Sequence, residues 1–130
     1  MLLKGEHMKP LLLFFLLAST AVLASAADKA SLTGPWQVHI SIAGTDKDQS
    51  CTFTQTNNDL TGSCSSDQGA VNINGKVDDK KVNWTYKSEY EGSPITVKYQ
   101  GTLDSENKIA GNVNVEEFGA EGDFTATRSK

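Results

Sequence analysis

The sequence predicts an all-β protein: an eight-stranded antiparallel up-and-down barrel with one disulfide, preceded by an export signal. Three observations carry this expectation. Apolar and polar residues alternate with a period of two from Trp36 almost to the end of the chain. Short polar turn sequences interrupt the alternation at regular intervals, and no stretch after Ala26 sustains a helical period. A two-sheet sandwich of the same strands is the competing architecture.

The first element is a targeting segment. Lys4 and Lys9 precede the apolar run 11–17, which continues through 18–23 and ends in Ala24-Ser25-Ala26. A basic start, a short hydrophobic stretch and a small-x-small end read as a secretory signal peptide cleaved after Ala26. A membrane span needs roughly 18 or more apolar residues, and Ser19 and Thr20 interrupt this run, which also lacks a lipobox cysteine. The division is therefore 1–26 signal peptide and 27–130 barrel domain, in the periplasm or secreted.

The strands follow at about 35–43, 50–56, 59–65, 69–77, 81–88, 94–103, 108–115 and 122–128. In the first, Trp36, Val38, Ile40 and Ile42 share one face, with Gln37, His39 and Ser41 on the other. Turn sequences set the pairing. Reading outward from Thr56-Asn57-Asn58-Asp59 places Phe53 opposite Gly62 and Cys51 opposite Cys64, inward neighbours at a spacing that a disulfide bridges. Asp78-Asp79-Lys80-Lys81 likewise puts Gly75 opposite Trp84, and the turn at 104–108 puts Gly101 opposite Gly111. Inward glycines facing large rings give the room and curvature of a closed barrel. The outward face is Thr, Ser, Asn, Gln and Lys, the reverse of a membrane barrel's apolar exterior.

Loss of Lys4, Lys9 and Glu6 with the signal leaves ten basic and fifteen acidic residues, a net charge of −5. No basic cluster offers a nucleic-acid surface. Two cysteines in an oxidising compartment pair, no Cys/His spacing suggests zinc, and Asp46-Lys47-Asp48 lacks the rest of a calcium loop. No metal or cofactor is expected.

Leu32-Thr33-Gly34-Pro35-Trp36 resembles the opening of calycin-type barrels, the lipocalins and avidins. Lipocalins carry a Gly-x-Trp at the start of the first strand, matched by Gly34-Pro35-Trp36, and an Arg at the end of the last, matched by Arg128. The resemblance implies that Arg128 packs over Trp36 and closes one end of the barrel. The chain has no Thr-Asp-Tyr motif, no room for a C-terminal lipocalin helix, and only two tryptophans, Trp36 and Trp84, where avidins use a cluster of them on biotin. What carries over is a fold and binding in general, without a ligand.

Catalysis needs titratable groups in a shielded site. The sole histidine after the signal, His39, falls on the outward face, and the carboxylates lie in loops or at strand ends. Tyr86, Tyr99 and Gln55 are the main polar groups expected inside, as core residues with satisfied polar tips. An enzyme is the weaker reading.

The loops are unequal at the two ends. Turns 56–59, 78–81 and 104–108 are tight and charge-balanced, beside Trp36 and Arg128. The segments 43–49, 65–69, 88–94 and 116–122 form the other end. They carry eight acids, among them Glu89, Glu91, Glu116 and Glu117, against Lys47 alone, with the aromatics Tyr90 and Phe118. Barrel mouths and their loops are common ligand sites. The expectation is a monomeric, non-catalytic binding protein with an acidic, aromatic-bearing mouth for a small or amphipathic ligand, its site formed by Tyr90, Phe118, Glu89, Glu91, Glu116, Glu117, Tyr86 and Tyr99. Two alternatives stand beside it: an inhibitor or immunity-type protein docking on a basic partner enzyme, and a small barrel isomerase or cyclase.

Overall fold

A computed structural model describes residues 31–129; the expected signal peptide lies outside them. Eight strands follow in order: β1 (Gly34–Ile42), β2 (Thr45–Thr56), β3 (Asp59–Ser66), β4 (Gly69–Asp78), β5 (Lys81–Tyr90), β6 (Ser93–Ser105), β7 (Lys108–Val115) and β8 (Ala120–Arg128), with a 3-10 turn at Glu116–Phe118. Each pairs antiparallel with the next, and β8 pairs with β1, so the sheet closes into a barrel. Closure decides against the sandwich.

The alternation works as expected. Trp36, Val38 and Ile40 are buried while Gln37 and His39 face solvent. Cys51 pairs with Cys64, Phe53 with Gly62, Gly75 with Trp84 and Gly101 with Gly111. The Cys51–Cys64 disulfide is formed, with Cα atoms 4.0 Å apart. Two glycines show what curvature demands. Gly62 has φ +148°, and a Cβ on Gly75 would collide with the carbonyl oxygen of Asn83.

The structure corrects the reading of the mouth loops. β2 begins at Thr45 and β8 at Ala120, so most of 43–49 and three residues of 116–122 are strand. Ala43 and Gly44 form a two-residue turn with φ of 51° and 79°, and Glu91 and Gly92 repeat it with 51° and 81°. Positive φ at both central positions matches the twist of the flanking strands. Neither Ala nor Glu advertises a left-handed conformation, so the sequence gives no sign that the alternation continues into the turn. The mouth rises above the base on extended hairpins.

The base is filled. Trp36, Phe53, Trp84 and Phe124 are at most 2% exposed. Their rings form a continuous cluster of tilted and edge-to-face contacts, with centroids 6.1 Å apart for Trp36–Phe53, 5.0 Å for Phe53–Trp84 and 5.2 Å for Trp84–Phe124. Leu32 plugs this end: its N–H donates to Gln55 Oε1 at 2.9 Å, and its carbonyl accepts from Trp36 Nε1 at 2.8 Å. Gln55 thus sits at the closed end, half-buried, tying the entering chain to β2. Arg128 lies over Trp36 with Cζ 4.6 Å from the ring centroid. It also donates to the carbonyls of Thr33 and Glu106 and to Asn107 Oδ1. One side chain therefore joins both ends of the barrel segment to the β6–β7 turn.

Candidate functional site

Toward the mouth the inward residues become smaller, and the barrel stops being solid. Ile40, Val71, Ile95, Val97, Val115 and Ala120 wall a cavity of about 620 Å³ above the aromatic cluster. Below them, the equivalent inward positions hold two tryptophans and two phenylalanines. The volume lies within the range, roughly 300–1,000 Å³, of small-molecule sites.

Three polar side chains make the floor. Tyr99 on β6 stacks on Trp84 at 4.7 Å and 14° and is 1% exposed. Its hydroxyl donates to Gln49 Oε1 at 3.1 Å, and Gln49 Nε2 donates to the Tyr86 hydroxyl oxygen at 3.4 Å. Burial holds the Tyr99 hydroxyl far above the ordinary tyrosine range, and its neighbour Tyr86 adds to the effect. Tyr99 is therefore a fixed neutral donor. Gln49 is 8% exposed and is the buried polar residue of this layer. The tilted Tyr86 ring lies 6.1 Å from Tyr99 and leads up the wall.

At the rim, Tyr90 and Phe118 face each other edge to face with centroids 5.9 Å apart. They are 56% and 55% exposed, the exposed large hydrophobic side chains among the described residues. Tyr90 is the last residue of β5, on the same inward parity as Trp84 and Tyr86. Phe118 is held by its neighbours. The Glu117 carboxylate accepts from the backbone N–H of Thr96 at 2.6 Å and from its hydroxyl at 2.8 Å. Glu116 pairs with Lys98 at 2.7 Å, and Gly119 closes the turn with φ 65°. The two Thr96 bonds lower the Glu117 pKa, the backbone N–H contributing most.

The structure thus gathers Tyr86, Tyr99, Tyr90, Phe118 and Glu89 around one cavity, with Lys47 beside them. Glu91 occupies the β5–β6 turn outside the lining, while Glu116 and Glu117 point to the outer face of β6 and anchor the turn that carries Phe118. Gln49 and Lys47 are among the lining residues that the expected strand bounds leave out, as are Thr45 and Ala120. Continuing the Cys51–Phe53–Gln55 parity backward through 49 and 47 would have placed both inward. His39 stands on the outer face, its Nδ1 2.7 Å from Asp48 Oδ1 and its Nε2 4.0 Å from Asp46. Among the described residues no group of three His, Cys, Asp or Glu side chains is arranged to hold a metal ion.

No protein-family model matches the chain, and no curated protein matches it. Redesigned β-barrels are among the similar solved structures. A redesigned β-barrel superposes with a TM-score of 0.63 at 20% identity, covering 76% of this chain and 92% of its own. The redesigned barrel mFAP1, solved bound to DFHBI, gives 0.56 at 21% identity over 75% of this chain and 94% of its own. A related redesigned barrel, mFAP0, also bound to DFHBI, gives 0.51 at 25% identity over 75% and 98%. These likenesses establish the barrel fold.

Proposed function

We propose that this protein is a non-catalytic binder that takes one small, amphipathic molecule into the upper half of its barrel. The observation that carries the reading is the division of the interior: a solid aromatic base beneath a cavity of about 620 Å³ with an apolar wall and a polar floor. A barrel filled throughout would bind with its rim alone. That mFAP1 was solved with DFHBI bound supports such a use of the architecture. In the same proposal the chain is exported, its signal peptide is cleaved after Ala26, and the protein acts as a monomer in the periplasm or outside the cell. The acids of the mouth turns steer the approach of ligands with a positive or polar end.

The exposed Tyr90–Phe118 pair favours a second reading, in which the rim docks on a basic protein partner. Native mass spectrometry of the protein purified from its own host separates the two. The binder reading expects a small molecule retained by the wild type and absent from Ala120→Trp, whose indole would enter the cavity. A stoichiometric protein partner retained by both forms would establish the docking reading instead.

A further inference from the structure

Counting the hydrogens of the cavity floor narrows the chemistry of the ligand. The chain of bonds runs in one direction: Tyr99 donates to Gln49, and Gln49 donates to Tyr86. Tyr86 thereby receives a hydrogen on its oxygen, and its own O–H has the Tyr99 hydroxyl as its protein neighbour among the described residues and can turn to an acceptor in the cavity instead. Of the three, Tyr86 is the half-buried member, above Gln49 and Tyr99, with its side chain on the cavity lining. We propose that the cavity selects flat, neutral molecules bearing a hydrogen-bond acceptor, a carbonyl or ether oxygen, at the end that enters first, and that Tyr86 is the donor that recognises it. This rests on the binder reading above.

Three physical arguments set that class. A ligand that displaces solvent from a hydroxyl must accept its hydrogen or leave a buried donor unsatisfied. An ionised head is disfavoured at the floor, where the polar groups are two phenols and an amide; Glu89 and Lys47, the charged side chains of the lining, are both exposed. Flatness follows from the walls. An aromatic ligand body suits this lining, which carries Tyr86 and Tyr99 at the floor and the edge-to-face Tyr90–Phe118 pair at the rim.

A matched pair of probes tests the proposal: 2-acetylnaphthalene, which carries a carbonyl, and 2-isopropenylnaphthalene, whose C=CH2 group keeps nearly the same planar shape without an acceptor. Titration calorimetry on the disulfide-bonded wild type should show the ketone bound about tenfold more tightly, the worth of one well-made hydrogen bond in a desolvated site. In Tyr86→Phe the preference should fall to about twofold or less while the hydrocarbon binds as before, because only the hydroxyl is removed. Equal binding of both probes by the wild type would overturn the acceptor rule and leave the cavity as a binding site. Failure of both probes to bind would sink the binder reading itself. A preference that survives in Tyr86→Phe would show that another group makes the contact, and the assignment to Tyr86 would be wrong.

Discussion

Tyr86, Gln49 and Tyr99 show how much depends on single side chains near the middle of the barrel. They form the boundary between the packed base and the cavity, and their hydrogen bonds are the polar contacts of that layer. Replacing Gln49 by Leu would strip Tyr99 of its acceptor in a site that is 1% exposed. An unsatisfied buried hydroxyl should destabilise the fold by about 1–3 kcal/mol, measured by urea unfolding. At the base, Gly75→Ala should cost about 3 kcal/mol or more, because the new methyl meets backbone carbonyl rather than a movable side chain. The disulfide belongs to the same structural set. Cys51 and Cys64 are 13 residues apart, and removing the bridge with a double Cys→Ala variant should destabilise by about 3 kcal/mol in the chain-entropy picture, with cavity binding retained. His39 behaves differently. Its pKa is raised, chiefly by the hydrogen bond to Asp48, so the stability it adds is complete below its unfolded value of about 6.5 and fades as pH rises through the folded value. An NMR titration of the imidazole in wild type and in Asp48→Asn should show the midpoint fall in the variant. Pairing and core residues were legible in the sequence because period-two alternation and turn position determine them together. Gln49 is reached only by carrying the β2 parity back past residue 50, and the Ala43-Gly44 turn that licenses this extension gives no conformational signal at its first residue.

Among the elements, the 3-10 turn at Glu116–Phe118 and the β5–β6 hairpin govern the mouth. Glu116 and Glu117 were read from sequence as part of an acidic, ligand-facing rim. In the structure they point outward and fasten the turn to β6, which leaves Phe118 facing Tyr90. Charge pattern singles out this end of the barrel, but it does not say which way a carboxylate points on a turn. Glu117 has a lowered pKa, so its tether is fully made above the ordinary glutamate range and is lost as pH falls through the folded value. The Thr96 amide resonance should move upfield over that acidic window, and should be insensitive to it in Glu117→Gln. Truncating either rim ring, Tyr90→Ala or Phe118→Ala, should weaken ligand binding by about 1–2 kcal/mol in calorimetry with little change in the unfolding midpoint, since both rings are more than half exposed. On the opposite end, Lys80→Ala should leave binding unchanged.

At the scale of the whole molecule, the design is a barrel of two halves. Aromatic volume is concentrated at the end where Leu32 and Arg128 seal the opening, and β-branched and small residues line the end where hairpins rise above it. Sequence alternation revealed which residues face inward but not how much space they leave, because vacancy depends on the sum of volumes around each layer of the closed barrel. That sum separates a ligand cavity from a rim-only docking surface. Methyl-resolved NMR during a titration with 2-acetylnaphthalene measures it directly. The cavity reading predicts that methyl signals of Ile40, Ile95, Val97 and Val115 shift together and saturably, while those of Leu60, Val82 and Ile109 at the base stay fixed. Shifts confined to the rings of Tyr90 and Phe118, or a base that moves while the cavity methyls do not, would contradict it.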